Sequence, residues 1–221
     1  MSTAAPPPFG AIFDWDGVII DSARLHEQSW HRLAGELGKT IAPQSFMRGF
    51  GMKSARILEE IHRWATEPEE VARLTNRKEA LYREIVAQSE IAPLPGVAEW
   101  IRRLQEAGVP CAVASSTQRL NIDAVLERIG LQQAFRAIVS AEDVVHGKPH
   151  PEVFEKAAER LGIACERCVV FEDAHVGIEA AHAAGMKVIA VATTHPGEQL
   201  TAADLVVRQL DELTVEQVAN L

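Results

Sequence analysis

Asp14 and Asp16 stand one residue apart in Ala11-Ile-Phe-Asp-Trp-Asp-Gly-Val18, where an apolar run ends in glycine. In an extended strand the side chains at i and i+2 leave from one face, so the two acids can converge on one small volume at the strand's carboxyl end. Left alone there, they repel each other. A shared proton, a bound cation, or a split into nucleophile and acid/base with different pKa values would relieve the repulsion. Two solvated acids in a strand-terminal turn are the plainer alternative.

Three further segments bring chemistry to strand ends. Val109-Pro-Cys-Ala-Val-Ala runs into Ser115-Ser116-Thr117 ahead of a helix, where hydroxyls and backbone N–H groups can hold an anion or simply cap the helix. Lys148 lies in His146-Gly-Lys-Pro-His-Pro151, between a glycine and a proline at the mouth of another helix. That stiff setting can aim an ammonium at charge, or leave a solvated loop lysine. Cys168-Val-Val-Phe ends in Glu172-Asp173, two more carboxylates, of which Asp173 could also be a helix-capping acid. Gathered at one point, these carboxylates, the lysine and a hydroxyl suit a Mg²⁺-bound phosphoryl group: magnesium takes hard oxygen ligands, and the lysine and backbone amides hold the remaining phosphate oxygens.

The elements that must position these groups read as α/β. Candidate strands are Phe9 to Asp14, Val109 to Ser115, Ala137 to Ser140, Cys168 to Asp173, Lys187 to Ala192 and Asp204 to Val207. Between them run amphipathic stripes such as Val97, Trp100, Ile101, Leu104 and Val153, Phe154, Ala157, Ala158, Leu161. Strands alternating with helices predict a parallel sheet with helices on its faces, and ligands then collect beyond the strands' carboxyl ends. From Val18 to Ala92 no strand is evident. Leu25, Trp30, Leu33, Leu37, then Ile57, Leu58, Ile61, Trp64, then Val71, Leu74, Leu81, Ile85 mark about three or four helices, too much for one crossover. The expected organisation is a core of residues 1–17 and 93–221 with a helical insertion at 18–92, closed by Ala92-Pro-Leu-Pro-Gly96.

With 22 Lys+Arg against 31 Asp+Glu the chain carries a net charge of −9, and no basic cluster offsets it, so nucleic acid and anionic membrane are not expected partners. No apolar run approaches the about 20 residues of a membrane span. Met1 to Pro8 has no secretory pattern, Pro6-Pro7-Pro8 suggests a loose extended lead-in, and a cytoplasmic location is expected. Cys111, Cys165 and Cys168 suit a reducing compartment; the Cys165/Cys168 pair lacks the second pair that a zinc site needs.

Phe13-Asp-Trp-Asp-Gly-Val18, Ser115 after a strand, Gly147-Lys-Pro149 and Phe171-Glu-Asp173 resemble, in order, the four signature motifs of the haloacid dehalogenase superfamily. Asp21-Ser22, His26 and Glu172-Asp-Ala-His-Val-Gly-Ile-Glu-Ala180 are most similar to the subgroup of β-phosphoglucomutase and related small-molecule phosphatases. The resemblance implies a Rossmann-like core with an inserted α-helical cap domain. It implies Asp14 as the nucleophile that becomes an aspartyl-phosphate, Asp16 as acid/base with a pKa above that of its metal-bound neighbour, and Ser115 and Lys148 as phosphoryl-binding groups. Mg²⁺ would be held by Asp14, the backbone carbonyl of Asp16 and Asp173, with Glu172 a ligand or a residue that orients one. His26 would face the site and could couple cap closure to the acid/base group; Gly51, Lys53, Ser116 and Arg119 are the other candidate substrate contacts.

Departures from the pattern bear on the reaction. The mutases carry Lys-Gly-x-x-Arg in the cap to grip a second phosphate, and the matching stretch is Phe50-Gly51-Met52-Lys53-Ser54, with both basic positions replaced. Arg48, Lys53 and Arg56 are close enough in sequence to compensate. A phosphatase acting on a small phosphorylated metabolite is therefore expected, with a phosphosugar mutase as the alternative. Asp16 argues against phosphonoacetaldehyde hydrolase, to which Asp14-Trp-Asp is also similar, and against haloacid dehalogenase activity. A binding protein that has lost the reaction lacks support, because no residue needed for turnover is missing. The subgroup's habit suggests a monomer. His146, His150 and His175 are expected to be loop or capping residues.

Overall fold

The computed structural model describes residues 9–49 and 51–221. The Pro6-Pro7-Pro8 segment and Phe50, one of the replaced basic positions, lie outside the described residues.

Six strands form one parallel sheet: β1 (Gly10–Phe13), β2 (Cys111–Ala114), β3 (Ala137–Val139), β4 (Cys168–Glu172), β5 (Lys187–Val191) and β6 (Leu205–Val207), in the order β3-β2-β1-β4-β5-β6. Side-chain alternation explains the two-faced burial. Ala11, Phe13, Val169 and Phe171 enter one core with Trp100, Ile122 and Val125; Ile12, Val170 and Cys168 enter the other with Phe154, Leu161 and Ile178. Phe13 stacks on Phe171 across neighbouring strands with ring centroids 4.6 Å apart, and Trp100 meets Phe171 edge-on at 6.0 Å. Each such buried ring contributes roughly 1.5–3 kcal/mol relative to exposure. Helices α5 (Val97–Glu106), α6 (Arg119–Ile129), α7 (Glu152–Leu161), α8 (His175–Ala183) and α9 (Val215–Ala219) complete this part, so the α/β, Rossmann-like expectation holds.

Between β1 and α5 the described chain is helical: α1 (Ala23–Glu36), α2 (Ser45–Gly49), α3 (Ser54–Arg56) and α4 (Pro68–Gln88). Pro68 opens α4 where its missing N–H costs nothing, and Glu69 and Glu70 in the first turn favour the positive end of the helix dipole. The stripe Ile57, Leu58, Ile61 does not make a regular α-helix. Residues Ile57–His62 form a wide π-type turn that ends at Arg63, whose φ of 54° is left-handed. Trp30, Leu33, Leu58, Leu74 and Leu81 pack there as a third apolar cluster, separate from the two on the sheet. The chain enters and leaves this insertion side by side, with Leu94 N–H donating to Ile19 O at 2.8 Å. Among the described residues no helix is long and apolar enough to cross a membrane.

Candidate active site

Strand order turns back at β1, so the chain leaves it on one side towards β2 and returns on the other at β4; the crevice beyond those three ends is where α/β sheets hold ligands. Asp14 follows β1 directly, its N–H still donating to Phe171 O at 2.9 Å, and the register Phe13 to Phe171 carried on by one residue sets it beside Glu172. Lys148 Nζ lies 2.7 Å from Asp14 Oδ1 and 2.5 Å from Glu172 Oε1. Glu172 Oε2 accepts the backbone N–H groups of Asp173 and Ala174 at 2.6 and 2.7 Å, so both its oxygens are engaged. Asp173 Oδ2 accepts the Thr194 hydroxyl. One oxygen each from Asp14, Glu172 and Asp173 lies within 4.8 Å of the other two. Gly17 makes room for this cluster: its φ is +84°, and a Cβ there would sit 2.0 Å from Asp173 Oδ2.

All four charged groups are buried. Burial pushes the Asp14 and Asp173 carboxyls up, and the charge of Glu172 pushes both further; Lys148 pulls them down without overcoming this. Burial opposes the Lys148 charge as well, but Asp14 and Glu172 outweigh it and raise its pKa. Hard oxygen donors that repel one another when ionised are the donor set a small divalent cation takes, and Mg²⁺ fits it. Asp14 and Asp173 suit the role of ligands, while Glu172, with both oxygens spoken for, suits fixing Lys148 and the Asp173 loop.

Asp16 faces the helical insertion instead. Its Oδ1 accepts the Ser22 hydroxyl and lies 3.3 Å from His26 Nε2, and its Oδ2 accepts the Thr117 hydroxyl at 2.5 Å. Lys78 Nζ stands 2.8 Å from His26 Nδ1. An ammonium only donates, so Nδ1 must accept, and in neutral His26 the ring hydrogen is assigned to Nε2, directed at Asp16. Tyr82 stacks on the imidazole at 4.1 Å. Burial raises the Asp16 carboxyl, yet His26, Ser22 and Thr117 outweigh it and bring it to about 2. In the arrangement shown Asp16 is an ionised proton acceptor, held so by a histidine and two hydroxyls.

The remaining expected residues divide. His26, Gly51, Ser116 and Thr117 line a pocket that opens beside Asp16. The Ser115 hydroxyl accepts Thr117 N–H at 3.0 Å, which orders the turn after β2. Lys53 does not line that pocket: its Nζ donates to Val144 O at 2.6 Å, across from the insertion to the core. Arg119 also lies apart from it, its guanidinium on Asp123 and its backbone N–H on Glu142. His146 and His150 pair with each other in a loop, rings 4.7 Å apart. Sequence reasoning missed Lys78, Glu79 and Thr194. A signal existed for Lys78, which falls on the apolar stripe of α4 four residues after Leu74 and four before Tyr82, where a charge must be buried. Thr194 carried none, since only the fold brings it to Asp173.

Comparison with known proteins gives the family. Residues 10–185 match the family model of haloacid dehalogenase-like hydrolases. A chloroplastic 5-amino-6-(5-phospho-D-ribitylamino)uracil phosphatase of Arabidopsis thaliana is 40% identical over 96% of this chain, which spans 57% of that relative's length. The fructose-1-phosphate phosphatase YqaB of Escherichia coli is 34% identical over 82% of this chain and 95% of its own. A β-phosphoglucomutase structure from Clostridium difficile superposes with a TM-score of 0.85 at 27% identity, covering 96% of this chain and 95% of that one.

Proposed function

The chain belongs to the haloacid dehalogenase-like hydrolases, and on that footing we propose that it is a phosphatase of a small phosphorylated metabolite, a sugar or polyol phosphate, with Asp14 as nucleophile. The observation that carries this reading is the Lys148 ammonium shared by Asp14 and Glu172 beside Asp173, at the turning point of the sheet. An oxygen of Asp14 attacks phosphorus, the bond from phosphorus to the alcohol oxygen breaks, and the phosphoryl group is carried as an aspartyl-phosphate. Lys148 and the backbone N–H groups after Ser115 hold its oxygens as charge shifts onto them. Asp16 takes a proton from the water that cleaves the aspartyl-phosphate and, carrying it, gives it to the departing alkoxide of the next substrate. His26, with its Nε2 hydrogen towards Asp16, links that exchange to the helical insertion of residues 18–92, which acts as a cap that keeps bulk water out. Mg²⁺, held by Asp14, Asp173 and the backbone carbonyl of Asp16, would neutralise the acids and draw charge from the phosphoryl oxygens.

The mutase reading has the β-phosphoglucomutase structure in its favour. Against it stands Ser54, which occupies the place of the second-phosphate arginine and donates to Glu79 Oε1 at 2.5 Å, so an acid faces where a cation is needed. The test is phosphate release from an aryl phosphate with Mg²⁺, with and without EDTA, alongside interconversion of glucose 1- and 6-phosphate. Release that stops with EDTA and drops at least about 10³-fold in Asp14→Asn is expected; a wild-type rate in that variant would end the mechanism.

A further inference from the structure

The pocket beside Asp16 has a charge balance set by two neighbouring residues of α4, Lys78 and Glu79, which are 1% and 3% exposed. Among the described residues Lys78 is the one lysine or arginine that lines it, and it is fully engaged. Its Nζ contacts His26 Nδ1 at 2.8 Å and Glu79 Oε1 at 3.1 Å, and it stands over the rings of Trp30 and Tyr82 at 5.3 and 5.5 Å. Glu79 Oε1 also takes the Ser54 hydroxyl, and Oε2 takes Asn121 Nδ2 at 2.5 Å. The nearest other ammonium in sequence, Lys53, is tied to Val144 O outside the pocket. The space for the departing half of a substrate is lined by the Glu79 carboxylate, by the hydroxyl oxygens of Ser54, Ser116 and Thr117, of which Ser54 and Thr117 already donate to Glu79 and Asp16 but can still accept, and by an apolar wall of Trp30, Met52 and Ile57.

A second phosphate entering this space would lose its hydration beside the Glu79 carboxylate, while Lys78 is already shared between Glu79 and His26 and no further cation lines the pocket to receive it. A neutral body carrying hydroxyls would trade bonds with the serine, threonine and carboxylate oxygens and rest its carbon face on Trp30. We infer that Glu79 makes this pocket selective for phosphomonoesters whose leaving alcohol is uncharged and hydroxyl-bearing, and turns bisphosphates away. The inference rests on the proposed phosphatase reaction and deepens it. Glu79 acts here as a specificity residue: it is directed at the part of the substrate that is not transferred.

The experiment compares matched pairs, fructose 1-phosphate with fructose 1,6-bisphosphate and glucose 1-phosphate with glucose 1,6-bisphosphate, at saturating Mg²⁺. Each is assayed as a substrate and as a competitor of aryl phosphate hydrolysis. The wild type is expected to favour each monophosphate over its bisphosphate by at least about tenfold in kcat/KM, or in inhibition constant where turnover is absent. Glu79→Gln leaves Lys78 uncompensated and should shrink that ratio by about tenfold or reverse it, while Glu79→Asp keeps the charge and should retain it. Ser54→Lys, which adds a cation to the same wall and leaves Glu79 in place, should shrink the ratio as well. Within-variant ratios cancel any general loss of activity from altered packing. Equal use of mono- and bisphosphates by the wild type would overturn the inference, as would a ratio that neither Glu79→Gln nor Ser54→Lys moves. Failure to hydrolyse the aryl phosphate would instead sink the phosphatase reading, and calorimetric binding of the same pairs would then decide the selectivity by itself.

Discussion

Glu172 shows how one side chain can hold an active site together without doing its chemistry. It receives Lys148 on one oxygen and two backbone N–H groups on the other, and so fixes the direction of the ammonium that meets Asp14. The room it occupies is given by Gly177 of α8: a Cβ there would stand 1.7 Å from Glu172 Oε1. A free carboxylate would swing aside; this one is pinned from both ends. Gly177→Ala is therefore expected to displace Glu172 and loosen Lys148, lowering stability by about 1–3 kcal/mol and phosphatase activity along with it. Gly35 provides the contrast, since it lies inside α1 and a Cβ there would meet nothing within 4 Å. Gly35→Ala should raise stability by about 0.5–1 kcal/mol and leave turnover unchanged. Chemical denaturation of the two variants measures both, and an equally stable, equally active Gly177→Ala protein would show that Glu172 is not pinned.

Elements were easier to read from sequence than the contacts between them. All six strands were legible because a buried parallel strand needs a short β-rich run, and turn residues bound each one. The helix at Ile57–His62 was legible as well, but not its π geometry or its close at the left-handed Arg63, which apolar spacing does not encode. Asp14, Lys148 and Asp173 could be proposed from strand-end position and residue type; their distances, and the hydroxyls and histidine that hold Asp16 ionised, depend on which elements the fold stacks at the crevice. The same holds for two acids that clamp elements at the periphery. Asp143 joins the turn after β3 to α7 through Arg160 and Ser140, and Asp204 joins β5 to α8 through Lys187, His182 and the N–H of Val188. Partial burial raises each carboxyl, but these partners outweigh it and bring both to about 2, below the ordinary 3.8. A depressed native pKa means that the unfolded chain takes up protons first as pH falls. The stabilisation is thus complete above about pH 5 and is lost as pH drops from about 4 through 2. Urea midpoints at pH 5 and pH 3 should draw closer together in Asp204→Asn than in the wild type; an unchanged gap would mean the clamp contributes nothing.

At the scale of the whole molecule, the helical insertion is joined to the sheet by two adjacent chain crossings, by Tyr82 and Val86 of α4 packing into the sheet's core, and by a few side-chain bridges. Leu94 N–H on Ile19 O ties the crossings to each other, and we expect this pair of crossings to serve as the hinge of the insertion. The bridges resist opening: Lys53 Nζ on Val144 O, and the buried Asn121 of α6, which donates to Glu79 Oε2 and accepts Arg83 Nη1 at 2.8 Å, both partners lying on α4. Asn121 is thus the one residue of α6 that binds the insertion through a carboxylate and a guanidinium at once. Its removal leaves the buried Glu79 Oε2 without its partner while the interface stays shut, and frees the half-buried Arg83 guanidinium, at a cost of about 1–3 kcal/mol that opening relieves. Asn121→Ala should therefore shift the balance towards an open insertion without unfolding the sheet. Hydrogen exchange followed by mass spectrometry is expected to show amides of α1 and α4 exchanging about tenfold faster, with β1 and β4 at wild-type protection, and KM should rise because substrate must then close the molecule itself. Exchange accelerated evenly across sheet and insertion would make Asn121 a packing residue of the core, and the hinge would have to be sought elsewhere.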